Sequence, residues 1–501
     1  MADSIIILNK SFEENSFLNF QLGIASLENL FIGKQSYLEK IKNIFLDSEK
    51  RKFIITDIDC KSFLDLKEIL QKDENYQSQF NPEDEIIYYD LKLYPKDPFV
   101  IQNVFQKVKY TDDICLFFET NNSKKTYLPI FKLKASYLFD QFYNQSSIYS
   151  ATNAMEVDLS QEFMSMTDTA SVLQLFSSNF DLRYFNHLKS QEDFFVKSST
   201  NKEKMQAEHN FLSVVPSDLK PFYPQVGEYS DDLNLASYQI EKIYILDLSK
   251  HLVNRVLDTK KLDNFFSKLK VYFSKLSQEK VSREEYQNSL RKDFILKNHQ
   301  RFDQLKTLEI YSSLNLIAKL YGLDSIDSFF GNLQQDLNNY IDSVKNTLLH
   351  FSHGDMCFSN ILFDNHTRSI KFIDPKGFNL DKKETFRSMY YDLAKLSHSC
   401  LGLYDLIVND LITINLENQA KPVIKYCLDD DYLQKISDAF KNFVNDLGYD
   451  LSVVRLFEAS LFLSMIPLHQ DGEKKMIAQF VQAINSYEEA KNLAKKTKIL
   501  G

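Results

Sequence analysis

The chain has 501 residues, of which 44% are hydrophobic and 26% are charged, as is usual in soluble globular proteins. At roughly 150 residues per domain, this length predicts two to four domains. The formal net charge of −10 argues against a nucleic-acid-binding protein. The sequence contains no uninterrupted apolar run of about 18 residues, so no transmembrane segment is predicted.

Cysteine usage and the first residues predict a cytoplasmic protein. The five cysteines are scattered and form no C-x-x-C pair, which argues against zinc sites and disulfide frameworks. A reducing compartment fits this usage best. The opening MADSIIILNKSFEEN lacks the basic segment and long apolar run of a signal peptide.

Residues 1–140 alternate between strand-like and helix-like segments, which predicts an α/β domain with a mostly parallel sheet. The predicted strands are Ser4–Leu8, Lys52–Thr56, Glu85–Tyr89 and Ile114–Phe118, and the predicted helices are Tyr37–Leu46 and Leu64–Gln71. Residues 144–160 are polar and weakly periodic, so they are predicted to be a linker or an irregular late part of this domain.

Residues 171–250 again contain strand-like runs, at Phe194–Val196 and Ser237–Leu246, and predict a small α+β region. Residues 251–501 are mainly helical in pattern. Their predicted helices cover 261–277, 283–300, 325–347 and much of 384–495, and a strand-rich segment at 361–373 interrupts them.

That strand-rich segment predicts a hairpin with polar residues at its open end. Two short apolar runs, Ile361–Phe363 and Ser369–Ile373, flank the turn-forming residues Asp364–Arg368. Asn360 precedes the first run and Asp374 follows the second, so the two should lie about one strand spacing, ~5 Å, apart. An amide oxygen and a carboxylate at that separation predict a Mg²⁺ site.

Asp355 lies five residues before Asn360 and can reach the same site as a base for an incoming hydroxyl group. His353 is predicted to hold the loop backbone. The segment HGDMCFSN with the later FID resembles the H-x-D-x₄-N loop and metal-binding Asp of aminoglycoside phosphotransferases and choline kinases. This resemblance implies a protein-kinase-like fold that uses ATP and Mg²⁺, with Asp355 as catalytic base and Asn360 and Asp374 as metal ligands.

A nucleotide-binding lobe should supply a strand lysine and an acidic partner on a helix. Lys197 ends the strand-like run FFVK, and Thr200–Glu203 has the pattern of a capping box that opens a helix. Glu208 falls on the apolar face of that helix and needs a partner, for which Lys197 is the nearest group.

Further contacts are predicted around these residues. Glu241 ends a strand where a kinase hinge would bind adenine through its backbone, and the hairpin Ser177–Asn186 would cover the phosphates without the usual glycines. Lys376, just after Asp374, is predicted to contact a phosphate group or the substrate. Lys297 and Arg301, four residues apart on a helix, either face a substrate anion or are solvated.

A closer resemblance joins the two parts of the chain. The runs KSSTNKEKMQAEHNFLSVVP, YDLAKLSHS and LFLSMIPLH are similar to bacterial capsule and lipopolysaccharide biosynthesis proteins that fuse a nucleotidyltransferase-like domain to a phosphotransferase domain. In that comparison Ile6–Asn9 is the first nucleotide-binding strand and Asp90 ends the metal-binding strand. The glycine-rich turn is replaced by Lys10–Glu14. The second metal carboxylate of that family is missing, because Met166 stands near its expected position, although Asp168 is close by.

The sequence therefore predicts a degenerate nucleotidyltransferase-like domain at 1–170, followed by a bilobal kinase-like domain with lobes at 171–250 and 251–501. The predicted activity is ATP- and Mg²⁺-dependent phosphorylation of a hydroxyl group on a small sugar or amino alcohol, in capsule or lipopolysaccharide synthesis. Two alternatives stay open: a pseudokinase scaffold that binds nucleotide without transfer, and a bifunctional nucleotidyltransferase–kinase. The sequence does not indicate the oligomeric state.

Overall fold

The computed structural model of the chain forms two compact units, residues 1–179 and 180–501. The structure describes residues 4–500 apart from 12–16, 24–25, 33–34, 46–50, 73–80, 110, 112–113, 122, 139–146, 152, 170, 173–174, 177–185, 191–193 and 416–420. The side chains of 186–190 and 497–500 also lie outside the described part. The sequence placed the boundary between its first two domains at 170.

The first unit is an α/β unit whose described helices and strands match the predicted ones closely. The strands are β1 Ser4–Asn9, β2 Phe31–Ile32, β3 Gln35–Ser36, β4 Arg51–Thr56, β5 Glu85–Asp90, β6 Leu93–Pro95, β7 Cys115–Asn121, β8 Lys124–Lys134, β9 Met155–Asp158 and β10 Phe163–Ser165. The helices are α1 Phe17–Leu22, α2 Tyr37–Ile44, α3 Phe63–Lys72 and α4 Pro98–Val108.

The main sheet of this unit has the strand order β4-β1-β5-β8-β7-β9 and is mixed. The three strands β4, β1 and β5 run parallel, whereas β8 is antiparallel to both β5 and β7. Because β7 is antiparallel to β8 and parallel to β9, five of the six strands run in the same direction, and the prediction of a mostly parallel sheet is confirmed, with β8 as the reversed strand. Residues 144–160 are not wholly a linker, since β9 pairs with β7 as a parallel edge strand.

Polar side chains meet where the parallel strands β1 and β5 end. Asn9 pairs in register with Asp90, and its Nδ2 donates to Asp59 Oδ1 at 2.7 Å and to Asp90 Oδ2 at 3.2 Å. Burial raises the pKa of Asp90 to about 6. Met166, the apolar residue predicted near this position, donates its N–H to the carbonyl of Lys92, whose own N–H donates to Asp90.

The second unit begins with a small sheet and continues as a largely helical region. Its strands are β11 Asn186–Ser190, β12 Phe194–Ser199, β13 Val226–Asp231, β14 Ala236–Glu241, β15 Gln278–Lys280, β16 Leu348–Phe351, β17 Ile361–Asp364, β18 Ser369–Phe372, β19 Phe386–Arg387, β20 Ile412–Asn415 and β21 Val423–Tyr426. Its helices are α5 Lys202–Ser213, α6 Leu248–Val253, α7 Thr259–Ser274, α8 Arg283–Leu290, α9 Lys297–Lys306, α10 Ile310–Leu320, α11 Ile326–Ser343, α12 Met389–Cys400, α13 Tyr404–Val408, α14 Asp430–Asp446, α15 Leu451–Met465 and α16 Glu473–Leu500.

The small sheet has the order β11-β12-β14-β13, with every neighbouring pair antiparallel. Helix α5 follows β12 after a short turn. Its N-cap is Asn201, whose side chain accepts from the N–H of Lys204 at 3.1 Å. The predicted capping box at Thr200 was therefore wrong, because the cap lies one residue later and consists of this single bond. The cap sets the direction of α5 and turns Glu208 into the interior, where it is fully buried.

The helical region contains two features that the sequence patterns did not reveal. Residues 384–495 are not continuously helical, because β20 and β21 form an antiparallel hairpin within them. The segment Leu451–Leu468 reaches a mean hydropathy of 1.6 over 18 residues, enough by composition to cross a membrane, but 83% of it is buried inside the fold. It holds the buried ion pair of Arg455 and Glu458, as a core helix can.

Candidate active site

The predicted hairpin is present and ends where expected. Strands β17 and β18 pair with Ile361 opposite Phe372 and Asp364 opposite Ser369. The Asp364 carboxylate caps the connecting turn by accepting from His366 N–H at 2.9 Å. At the open end, Ile373 N–H donates to the carbonyl of Asn360 at 3.0 Å, so Asn360 and Asp374 emerge from adjacent strands.

The loop that carries Asp355 is fixed from both sides by buried side chains. His353 accepts at Nδ1 from Asp355 N–H (3.2 Å), so its proton lies on Nε2, which donates to the carbonyl of Ile373 (2.9 Å). Burial lowers the pKa of His353, in keeping with this neutral ring. The Asp392 carboxylate accepts from the N–H groups of His353 and Gly354 at 3.1 and 2.9 Å. The predicted structural role of His353 is confirmed.

Both carboxylate oxygens of Asp355 have partners, and the two partners lie on different elements. Oδ1 is 2.9 Å from the ammonium of Lys395 on α12, and Oδ2 accepts from Nδ2 of Asn360 at 3.2 Å. Lys395 is buried, whereas 32% of the Asp355 side chain is exposed. Asp355 is therefore oriented by buried groups yet can be reached from solvent.

The predicted pair of Lys197 and Glu208 is confirmed and extends to Asp374. Lys197 Nζ lies 2.5 Å from Glu208 Oε2 and 2.7 Å from Asp374 Oδ1. Tyr238 OH also donates to Glu208 Oε2 at 3.0 Å. Burial opposes the charge on Lys197, but Asp374 and Glu208 together raise its pKa well above the ordinary value. Burial likewise opposes the charge on Asp374, but Lys197 lowers the pKa of that carboxyl below its usual value.

The loop after Asp374 packs directly on the backbone of α5. Gly377 has φ +69°, and a Cβ built there would lie 2.1 Å from the carbonyl oxygen of Ala207 and 2.8 Å from Glu208 N. The next residue, Phe378, donates its N–H to the same Ala207 carbonyl at 3.3 Å. This close approach holds the Asp374 loop against the helix that carries Glu208.

We expect Gly377→Ala to weaken the site by pushing that loop away from α5. Gly322→Ala is a matched control, because Gly322 also has positive φ (+77°) but no atom lies within 4 Å of its Cβ position. The clash should cost about 1–3 kcal/mol beyond the strain that both variants share. Thermal unfolding should show a Tm several degrees lower for Gly377→Ala than for Gly322→Ala, and equal losses would contradict the close packing.

A group of basic side chains, which we call the basic cluster, surrounds Asp355 on the side of Lys395. It comprises Lys297, Lys376, Arg387 and Lys395. Lys376 Nζ is 2.8 Å from Asp293 Oδ1, and Arg387 Nε is 3.5 Å from Asp293 Oδ2. Tyr391 lies among them: its ring centroid is 5.0 Å from Lys376 Nζ, and its hydroxyl accepts from Lys297 at 3.5 Å.

Lys297 enters this cluster because of a local change in helix geometry. The six residues Arg291–Leu296 form a π-helical segment between α8 and α9, a geometry that often marks functional sites. This segment buries Asp293 and leaves Lys297 half-buried at the start of α9. Burial, followed by repulsion from Lys395 and Lys376, lowers the pKa of Lys297 to about 7. Arg301, the predicted companion of Lys297, instead donates to Gln304 at an exposed position.

The structure does not establish two further contacts that the sequence predicts, the hinge at Glu241 and the phosphate-covering hairpin. The N–H of Glu241 already donates to the carbonyl of Gln225 at 2.9 Å, and its carboxylate is 3.8 Å from Lys371. The backbone that could contact adenine therefore begins after Glu241, and the Glu241 contact stays a prediction. The predicted phosphate-covering hairpin Ser177–Asn186 lies outside the described residues except for the backbone of Asn186.

The sequence analysis did not identify Lys395, Asp392, Asp293 or Arg387 as site residues. A signal for two of them exists, because Asp392 and Lys395 are charged residues in a helix that is otherwise apolar or small, at YDLAKLS. Buried charges need partners, so charged residues in such a helix indicate that it packs against groups of opposite charge or against polar backbone groups. Asp293 and Arg387 give no comparable local signal.

The donor set at the end of the hairpin fits Mg²⁺. The amide Nδ2 of Asn360 is used on Asp355, so its Oδ1 is the atom left for a cation, and no donor reaches it among the described residues. Asp374 adds a carboxylate that is 35% exposed. The described part of the chain contains no cluster of three or more His, Cys, Asp or Glu side chains that could hold a metal ion by themselves. Two oxygen donors suit a cation that takes its remaining ligands from water and phosphate groups.

No protein-family model matches the chain, and no curated protein matches it in sequence. Among solved structures, the chain is similar to an ethanolamine kinase from Plasmodium vivax, with 12% identity and a TM-score of 0.32 over 62% of this chain and 80% of that one. It is also similar to a choline kinase from Cryptosporidium parvum Iowa II, with 14% identity and a TM-score of 0.28 over 67% of this chain and 97% of that one. Because both TM-scores are below 0.5, we base the functional proposal on the geometry of the site.

Proposed function

We propose that residues 180–501 form an ATP- and Mg²⁺-dependent phosphotransferase that acts on a hydroxyl group of a small polar metabolite. The observation that carries this proposal is the convergence of Asp355, Asn360 and Asp374 at one hairpin end. The paired Lys197 and Glu208 stand beside them and reach Asp374 directly. Positioning, a cation site and an acid–base residue are the main requirements of phosphoryl transfer.

In the proposed reaction, the acceptor oxygen forms a bond to the γ-phosphorus of ATP, and the bond from that phosphorus to the β–γ bridging oxygen breaks. The hydroxyl proton passes to Asp355, and ADP leaves with the bridging oxygen. Lys395 and Asn360 hold the two oxygens of Asp355 at 2.9 and 3.2 Å, which fixes the direction of its lone pairs. This role suits a general base, whose efficiency depends on geometry first.

Asn360 and Asp374 would hold the Mg²⁺ ion, which when bound neutralises negative charge on phosphate oxygens. The ammonium group of Lys197 would release Asp374 and contact the phosphates of ATP, while Glu208 holds that ammonium group in place. The small sheet with α5, followed by the helical region, supports a two-lobed kinase-like arrangement for this unit. Backbone groups after Glu241 would then contact adenine, and Lys376 would contact a phosphate group or the acceptor.

We propose a non-catalytic role for the first unit. The resemblance to nucleotidyltransferases is supported by the parallel strands β4, β1 and β5 and by Asp90 at the end of β5. In the sequence comparison Met166 stands near the expected position of the second metal carboxylate, and a thioether cannot replace that carboxylate. A scaffold or recognition module therefore fits this unit better than a second catalytic centre. A place in capsule or lipopolysaccharide synthesis rests on sequence resemblance.

Transfer of labelled phosphate tests the proposal. The chain is incubated with Mg²⁺, [γ-³²P]ATP and a panel of neutral sugars, amino alcohols, sugar phosphates and hydroxy acids. We expect at least one acceptor to become labelled, and the label to disappear when Mg²⁺ is chelated. Tight binding of ATP·Mg²⁺ with no transfer to any member of the panel would instead support the pseudokinase alternative.

A further inference from the structure

The basic cluster carries more positive charge than the neighbouring carboxylates offset. Two carboxylates lie within 4.0 Å of its four basic side chains, Asp293 against Lys376 and Arg387, and Asp355 against Lys395. The buried carboxylate of Asp392, which also interacts with Arg387, is a third, so four basic groups face three carboxylates. Lys297 has no carboxylate within 4.0 Å among the described residues, and its one hydrogen-bond partner is Tyr391 OH. Like charges at this density in a half-buried site repel one another.

Two atoms of the cluster indicate that a group is needed to complete it. Nη1 of Arg387 is buried and has no hydrogen-bond partner within the described part of the chain. A buried donor without a partner is costly, and a charged acceptor would satisfy it. The ammonium group of Lys297 is in a similarly unfavourable position, because burial and the ammonium groups of Lys395 and Lys376 lower its pKa. An anion bound in the cluster would relieve both conditions.

The position of the cluster relative to Asp355 suggests which substrate brings that anion. Asn360, the cation-site residue, holds Oδ2 of Asp355, whereas Lys395 of the basic cluster holds Oδ1. The nucleotide phosphates already have Lys197 and the cation site as partners. The base must contact the acceptor hydroxyl, so the acceptor lies against Asp355. The rest of the acceptor can then reach the basic cluster, which lies on the Oδ1 side of Asp355.

We propose that the acceptor is an anionic alcohol, whose phosphate or carboxylate group binds Lys297, Lys376 and Arg387 while its hydroxyl group meets Asp355. This inference rests on the proposed phosphotransferase function and narrows its substrate class. A cationic amino alcohol would add positive charge where positive charge is already in excess. The ring of Tyr391 makes cation–π contacts with Lys376 and Arg387, which help to hold these two side chains in place.

Small probes test the anion site without knowledge of the full acceptor. The protein is first saturated with AMP-PNP and Mg²⁺, and nucleotide binding is measured in the same sample. Saturation-transfer NMR then measures binding of methyl phosphate, acetate and tetramethylammonium ions. We expect at least one anion to bind saturably and the cation not to bind, and the stronger anion shows whether the site prefers phosphate esters or carboxylates.

Matched lysine variants locate the binding. Lys297→Met should weaken the preferred anion about tenfold or more, because it removes a charged contact. Lys292→Met is the control, since Lys292 lies in the π-helical segment that precedes Lys297 but is 66% exposed and paired with Glu384. This variant should change the affinity less than about twofold.

Three results would overturn the anion site while leaving the phosphotransferase proposal intact: binding of the cation in place of either anion, no anion binding to the nucleotide-bound protein, or equal affinities in the two lysine variants. If an anion binds only when AMP-PNP is absent, the cluster serves the nucleotide phosphates and the inference is wrong. Failure of AMP-PNP itself to bind would count against the phosphotransferase proposal and against the inference that rests on it.

Discussion

Asp374→Ala is expected to reduce phosphoryl transfer by about 10³-fold or more. The substitution removes the only carboxylate among the two proposed Mg²⁺ ligands, and a bound cation contributes several kcal/mol of charge stabilisation in such reactions. The fold should survive, because Lys197 keeps its 2.5 Å contact with Glu208. Initial rates at saturating ATP, measured over a range of Mg²⁺ concentrations, give the effect.

Asp263→Ala is the matched control for this prediction. Asp263 is an exposed residue of α7, and its replacement by the better helix former should leave transfer unchanged. Both variants are compared by circular dichroism and thermal unfolding, so that a loss of activity is not confused with a loss of structure. Retention of full transfer by a folded Asp374→Ala protein would exclude Asp374 as a metal ligand.

Asp355→Asn is expected to lower kcat by about 10²–10⁴-fold, the usual contribution of a positioned general base. The amide is the same size but cannot accept the hydroxyl proton. The dissociation constant of ATP·Mg²⁺ should change little, because Asp355 is not among the proposed ligands. Single-turnover kinetics with labelled ATP separate the chemical step from binding.

The split between binding and chemistry makes this second prediction specific. Asp355 also pairs with Lys395 and accepts from Asn360, so a purely structural role would weaken nucleotide binding and stability together with the rate. A variant with an unchanged rate constant for transfer would show that Asp355 is not the base. A variant with a slow transfer step and normal nucleotide affinity agrees with the proposed role.

Local patterns predicted the parts of the site that are close in sequence. The hairpin that gathers Asn360 and Asp374 follows from two apolar runs around a polar turn, and it is present. The Lys197–Glu208 pair follows from one strand end and one helix face, eleven residues apart, and it is also present. Both predictions used geometry that a single strand, turn or helix determines.

The remaining contacts depend on how distant segments pack. Lys395 reaches Asp355 across 40 residues of chain, and Asp293 reaches Lys376 across 83. The side that α12 turns toward the loop of Asp355, and the π-helical turn that buries Asp293, result from packing and not from local propensity. The excess of positive charge beside Asp355 was therefore not visible in the sequence.

Anomalous diffraction from Mn²⁺ in a crystal grown with AMP-PNP tests the central claim most directly, because Mn²⁺ replaces Mg²⁺ at oxygen sites and can be located independently. Our account predicts one cation between the phosphate groups and the protein, bound by Oδ1 of Asn360 and a carboxylate oxygen of Asp374, with Asp355 facing the γ-phosphate. A nucleotide and cation bound elsewhere, away from these three side chains, would contradict it.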